Sequence, residues 1–197
     1  MKQNSTKVLT RIAILSAVAF ILMLFEFPLP FIPFFYKMDF SEAAVLIGGF
    51  AMGPGAAVVI EALKNLLYFW IHGSMTGGVG EIANFIVGCA LCVPASFIYY
   101  KQKSKKNAEK GMLFGSMLMI VAGVLANYYI LLPLFAKIND NYSADNIVAL
   151  GNALIPAIHN MFDFVLLATA PFNAIKAALV CAVTMIVYKR ISPILHR

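Results

Sequence analysis

Pro28–Glu42 reads PLPFIPFFYKMDFSE and separates two apolar runs. Pro28, Pro30 and Pro33 each remove a backbone donor and push the preceding residue toward extended geometry, so a helix entering from Leu9 has to stop here. Six phenylalanines and Tyr36 fall between Phe25 and Phe40, too apolar a set for a solvated linker. They read either as a wall packed onto the protein or a flat ligand, or as an interfacial aromatic belt. Beside them stand Lys37, Asp39, Ser41 and Glu42. The expectation is a loop at one membrane surface with helices arranged beneath it.

The composition forces the membrane reading. The 197 residues are 61% hydrophobic with a mean hydropathy of +0.84, whereas soluble domains hold about 45–50% apolar residues. The length fits a single domain, residues 1–197. A formal charge of +6 would suit nucleic acid, but the cations are placed as a topology signal. Lys2, Lys7 and Arg11 open the chain, five lysines lie between Lys101 and Lys110, and Lys189, Arg190 and Arg197 close it. With an even number of spans these groups share one face, which the positive-inside rule makes cytoplasmic, with both termini there. Of the nine acids only Glu109 joins them. The expected location is the cell membrane, multi-pass, without nucleic acid as a partner.

Spans need roughly 20 apolar residues, and punctuation divides the chain into six segments: about 7–27, a short 41–52, then 56–71, 81–100, 112–134 and 171–188. The fold expected is an all-α integral membrane protein, a six-transmembrane-helix bundle with the proline-rich outer loop between helices 1 and 2. The first run is too long for a signal h-region and has no small-residue cleavage site before Pro28, so it stays as a span. Gly53-Pro54-Gly55 turns the second segment into the third. The loop GSMTGGVG, 73–80, lacks the G-K-[ST] ending of a phosphate cradle and reads as a re-entrant or binding loop. Asn139-Asp140-Asn141 and Gly151-Asn152 mark a return to the outer side. The stretch 154–168 either lies flat or begins the last span, whose Pro171 suits a first helical position.

Polar side chains in hydrocarbon are costly, about 2.5–3.5 kcal/mol for a charge on insertion scales, and so point to function by default. Asn173 and Lys176 share a helix face at i,i+3. An amide with an ammonium suits a flat heterocycle with alternating carbonyl and N–H groups, unless Lys176 only pairs with an acid such as Asp39 or Asp163. Glu81 and Asn84 repeat that spacing, although Glu81 also suits a helix N-terminus electrostatically. Glu61, Lys64 and Asn65 form a stripe best read as an internal ion pair, with Lys64 and Asn65 as further candidates for a cavity. Asn127, followed by Tyr128 and Tyr129, faces either a ligand or a neighbouring helix.

Other chemistries find no footing. The sequence has no Walker-type loop, no H-E-x-x-H and no G-x-S-x-G, so no catalytic residues are assigned and an enzyme is not expected. His72, His159 and His196 lack metal-ligand spacing, and no metal site is expected. Cys89 and Cys92 form a C-x-x-C without a second pair or a nearby His, and with Cys181 they read as small hydrophobes.

Five stretches carry a resemblance: MDFSEAAVL (38–46), GPGAAVVIEALKNLL (53–67), GEIANFIVG (80–88), LANYYILLPL (125–134) and PFNAIKAAL (171–179). Together with the six-segment layout and the proline loop, they make the chain resemble the riboflavin-specific substrate-binding subunits (S components) of energy-coupling factor (ECF) vitamin transporters. The resemblance implies high-affinity capture of riboflavin from outside. Delivery inward then requires association with a transmembrane coupling protein and two ATPases, the whole subunit toppling in the membrane. It implies no cofactor: riboflavin is the substrate, and only the partner subunits use ATP. By motif, Asn173 and Lys176 contact the pyrimidine-like edge of the isoalloxazine ring, and Lys37, Met38, Asp39 and Phe40 cover it and supply backbone bonds. Glu81, Asn84 and Asn127 are further assignments. Ala13, Ser16 and Ala17 in the first helix form an A-x-x-x-A row that docks the coupling protein, since small residues four apart allow close helix approach. Rival expectations are an S component for another vitamin or for flavin mononucleotide, and a structural or assembly protein whose polar residues only hold helices together.

Overall fold

The first helix, α1 (Ser5–Leu24), stops as the sequence requires, just before the proline-rich stretch. Two short strands, β1 (Phe27–Pro28) and β2 (Lys37–Met38), then pair antiparallel with Phe27 opposite Met38. They turn that stretch into a closed hairpin, a feature the proline spacing did not announce. The computed structural model describes residues 5–74, 76–138 and 143–195. The Asn139-Asp140-Asn141 segment, read from sequence as a return to the outer side, lies outside them.

Helix α2 (Ser41–Met52) follows at once, and Gly53 with φ 101° turns it into α3 (Pro54–Ile71), where Pro54 fills a first-turn position that needs no donor. Helix α4 (Val79–Lys101) and α5 (Lys105–Ala126) flank the basic loop, and the Ser104 hydroxyl caps α5 by accepting from the Asn107 N–H. Helix α5 continues through a π-type turn, Asn127–Leu131, into α6 (Leu132–Ile138). After α7 (Ala144–Leu154), α8 (Met161–Phe164) passes through a second π-type turn, Val165–Thr169, into α9 (Ala170–Leu195).

Five of these runs are long and apolar enough to cross a membrane: Thr6–Leu24, Pro54–Ile71, Val79–Lys101, Lys105–Ile138 and Met161–Tyr188. The last begins ten residues earlier than Pro171, which therefore sits inside a continuous helix rather than opening one. That places the second half of the ambiguous 154–168 stretch, from Met161 on, on the final helix. Helix α2, with 12 residues, is about 18 Å long, well short of a hydrocarbon core of about 30 Å.

Both π-type turns lie just before a proline, whereas Pro94 is accommodated inside α4 without one. A proline inside a helix clashes with the carbonyl four residues back and leaves it unbonded. Pro133 sets this against Tyr129 and Pro171 against Leu167, and each of those residues lies in the middle of a π-type turn. The widened turn absorbs the clash without ending the helix.

Packing divides into tiers. Phe50, Tyr99, Leu91, Met119 and Tyr188 belong to a core toward the basic-loop end. Phe164, Ile147, Ile158 and Leu131 form another at the opposite end, against which Phe35 and Tyr36 of the hairpin rest. Helices α4 and α5 meet almost backbone to backbone. Gly111 and Gly115, four apart on α5, lie against the main chain of Ala95 and Leu91, and a Cβ on Gly115 would overlap the Leu91 carbonyl oxygen. Backbone cannot rotate away as a side chain can. Gly115→Ala should therefore cost about 1–3 kcal/mol, read as a lowered thermal-unfolding midpoint of the purified protein, whereas Gly55→Ala, with open space at its Cβ, should leave the midpoint unchanged.

Candidate functional site

The ends of α1, α3 and α5–α6 and the beginnings of α4 and α9 converge at the end of the bundle away from the basic loop. They enclose a cavity of about 380 Å³ beneath the hairpin, within the usual range of about 300–1,000 Å³ for small-molecule sites.

Lys176 on α9 is the centre of its polar wall. Its Nζ donates to Asp39 Oδ2 at 2.9 Å and to Asn84 Oδ1 at 3.4 Å, and lies 3.0 Å from Glu42 Oε1. One turn back, Asn173 donates from Nδ2 to the Thr169 carbonyl, 3.0 Å away. Its close fit is set by Gly123 on α5, where any Cβ would overlap the Asn173 amide. Asn127 donates to the Gly123 carbonyl at 2.8 Å and accepts from the Tyr36 hydroxyl at 2.8 Å. That same hydroxyl lies 2.7 Å from Thr169 Oγ1. Tyr36 thus joins the two π-type turns, stacks on Phe172 with centroids 5.2 Å apart, and meets Phe35 at 4.9 Å. Burial pushes the Tyr36 phenol above its ordinary pKa, which keeps the proton that makes these bonds.

A second polar group sits at the hairpin's root. Glu26 accepts from both Lys37 Nζ and the Tyr68 hydroxyl. Glu81 accepts from Ser74 at 2.8 Å, and Ser74 also receives the N–H of Gly78, so the glycine-rich loop is tied to the start of α4. Gly73, Gly77 and Gly78 all have positive φ there, which explains the loop's composition.

Of the residues singled out by sequence, Lys37, Asp39, Glu81, Asn84, Asn127, Asn173 and Lys176 line the cavity. Four do not. Met38 is fully buried and packs with Ile32 and Phe172. Phe40 lies against Phe27, ring centroids 6.4 Å apart. Lys64 is fully buried between Glu42 at 3.0 Å and Glu61 at 2.9 Å, and Asn65 bonds back to Glu61. Glu61, Lys64 and Asn65 of the α3 stripe thus bond to one another and stay outside the cavity lining. On α1, Ala13 and Ala17 are exposed, but Ser16 is buried and donates to the Ile12 carbonyl, so it does not share their face. Asp163 instead accepts from Asn160 and the His159 N–H.

Glu26, Tyr36, Tyr68 and Thr169 escaped the sequence reading although all four belong to this wall or its supports. Glu26 and Thr169 had a signal, being polar residues beside or within apolar runs. The two tyrosines were hidden among many aromatics. Among the described residues no group of three or more His, Cys, Asp or Glu side chains is placed to hold a metal ion.

The geometry can be set beside known proteins. A profile of the family described as "ECF transporter, substrate-specific component" matches residues 7–188. The chain belongs to that family. This S component is 32% identical over 188 residues to the riboflavin transporter FmnP of Bacillus subtilis (strain 168), covering 95% of the chain and 93% of the relative. It is 32% identical over 197 residues to the riboflavin transporter RibU of Staphylococcus aureus (strain TCH60), covering 100% of the chain and 95% of the relative. A solved structure described as the S component of a bacterial ECF transporter superimposes with a TM-score of 0.75 at 29% identity, over 98% of this chain and 100% of that one. The protein is a multi-pass membrane transporter subunit and not an enzyme.

Asp39 supplies a measurable consequence of the site's electrostatics. Burial works to raise its pKa, but the ammonium groups of Lys176 and Lys64 and the bond from Ser41 outweigh it and hold the carboxyl at about 2, below an ordinary 3.8. A depressed carboxyl stabilises the fold fully above its unfolded value and loses that contribution as pH falls through the folded one. The thermal midpoint should therefore show no contribution from Asp39 to its pH dependence near neutrality, and a fall between about pH 4 and 2 that Asp39→Asn reduces.

Proposed function

We propose that this S component captures riboflavin at the outer membrane face and delivers it inward with an ECF coupling protein and two ATPases. The observation that carries the reading is the convergence of Lys176, Asn173, Asn127 and Asn84 on one cavity walled by Phe172 and Phe35, in a chain 32% identical to proteins named riboflavin transporters. A flat ring with carbonyl and N–H groups along one edge matches that set. The ammonium and amide N–H groups suit carbonyls, amide oxygens suit an imide N–H, and the aromatic wall suits the ring faces. The hairpin residues Lys37, Met38, Asp39 and Phe40 close over the ring, with Met38 and Phe40 acting through the backbone and packing of the cover. Lys64 and Asn65 support the site from beneath, and Glu81 borders it near the glycine-rich loop.

In this reading the chain crosses the membrane six times, with α2 as the short second span and the proline hairpin outside. Both termini and the basic loop then lie in the cytoplasm, in keeping with the segregation of lysine and arginine. Ala13 and Ala17 present a small-residue strip on the least covered of the long helices, suited to close approach by the coupling protein. Riboflavin is the substrate and no cofactor is required. Against flavin mononucleotide as the preferred ligand stands Glu26: Lys37, the cation a phosphate would seek, is already paired with it.

Lys176→Ala and Asn173→Ala should each weaken riboflavin binding by about 1–3 kcal/mol, the usual cost of a lost buried partner. Titration of flavin fluorescence with the purified variants measures this, and parental affinity in both variants would remove the assignment. Flavin mononucleotide, titrated in parallel, should bind more weakly than riboflavin.

A further inference from the structure

From Asp39 and Lys176 in the cavity wall, a chain of buried ionisable groups runs down into the bundle through Glu42, Lys64 and Glu61, which lie outside the lining. Three carboxyls face two ammonium groups, so with every group ionised the network would carry one negative charge in excess. The desolvation of an unmatched buried charge costs several kcal/mol, and the shortfall falls on Glu61. Glu42 contacts both lysines, and Asp39 contacts Lys176 through Oδ2 while Oδ1 accepts the Ser41 N–H, but Glu61 meets one ammonium among the described residues, Lys64, and leaves Oε2 without a partner. The other groups facing it offer no cation. Helix α2 presents Glu42, α4 presents the thiols of Cys89 and Cys92, and Lys176 on α9 is engaged by Asp39 and Glu42.

The hydrogen-bond inventory makes the same point independently. Within the network Glu42 Oε2, Glu61 Oε2 and Asn65 Oδ1 are buried without a partner among the described residues; Ser96 Oγ is also unpartnered but lies against Gly49, seven residues further along α2 than Glu42. The three network atoms are all acceptors, so the site is short of a donor. Nor is the space around Glu61 generous: Gly88 of α4 passes so close that a Cβ there would overlap its carboxyl.

We propose that Glu61 is a proton-binding site, carrying its proton as a neutral carboxylic acid at neutral pH. The proton cancels the excess charge and turns Glu61 into a donor. Asn65, already bonded to that carboxyl through Nδ2 at 3.1 Å, offers its Oδ1 as acceptor. The membrane-spanning part of the protein then holds a neutral five-residue network, and the two lysines keep their pairings without a stray charge among the helices.

Infrared spectroscopy of the purified full-length protein in lipid at neutral pH tests this. The expected spectrum contains a protonated-carboxyl C=O stretch that shifts in D2O and is lost in Glu61→Gln. Because Gln reproduces the shape of a neutral acid and leaves two carboxylates with two ammonium groups, that variant should keep the parental thermal midpoint and riboflavin affinity. Absence of the band from the parent protein, or its survival in Glu61→Gln, overturns the proposal. So does a large drop in the variant's midpoint, the result expected if an ionised partner of Lys64 had been removed. The infrared readout does not depend on which ligand the cavity takes.

Discussion

Two lysines buried in the interior of a membrane protein set the terms for everything around them. Lys64 is fully buried and Lys176 nearly so, so each needs carboxylates, and most of those come from other segments. Asp39 comes from the end of the hairpin, Glu42 from the first turn of α2 and Glu61 from α3. Glu42 touches both lysines and so binds α2, α3 and α9 into one unit. This explains why α2, too short to span comfortably, is nevertheless among the most deeply buried helices. Its first turn is held by charge and its glycines fit against α3 and α4: a Cβ on Gly49 would overlap the Ser96 hydroxyl, and one on Gly48 the Ile60 side chain.

The same pairing fixes the cover of the cavity. Asp39 immediately follows β2, and its bond to Lys176 pins the hairpin to α9. Tyr36 pins it a second time, to the two π-type turns. Those turns lie where Pro133 and Pro171 displace carbonyls from the helical ladder, and they carry Asn127 and Thr169. Backbone irregularity beside two prolines thus ends as side-chain geometry at the cavity wall. The two anchors are of different kinds, one an ion pair and one a neutral hydroxyl bridge beneath a stack of aromatic rings.

Neighbours within one helix were legible in the sequence, and helix boundaries were less so. Spacing alone put Asn173 beside Lys176 and Glu61 beside Lys64, because i,i+3 neighbours share a helix face whatever the tertiary fold. Polar residues in apolar runs also stand out without help. The pairing of Lys176 with Glu42 and Asp39 spans more than 130 residues, and no local pattern encodes it. Pro171 was visible but misled: proline suits a helix start, and only the structure shows that here a π-type turn lets the helix run through from Met161. Ser16 misled in another way, since its place between Ala13 and Ala17 in sequence suggested a shared strip, whereas a hydroxyl bonded to its own helix could turn inward at little cost.

An ammonium group has three donors, and Lys176 has three acceptors around it, Asp39, Glu42 and Asn84. A ligand oxygen that takes a hydrogen bond from this lysine must therefore replace one of them. The two carboxylates are charged, lie at 2.9 and 3.0 Å, and are needed to balance the network. Asn84 is neutral and sits at 3.4 Å, so its bond is the weakest of the three. On the proposed reading the arriving carbonyl displaces Asn84, whose freed amide remains in the cavity wall to bond the same ligand. Recognition then proceeds by exchange of a weak internal bond for two external ones, while the ion pairs that hold the hairpin in place are left intact.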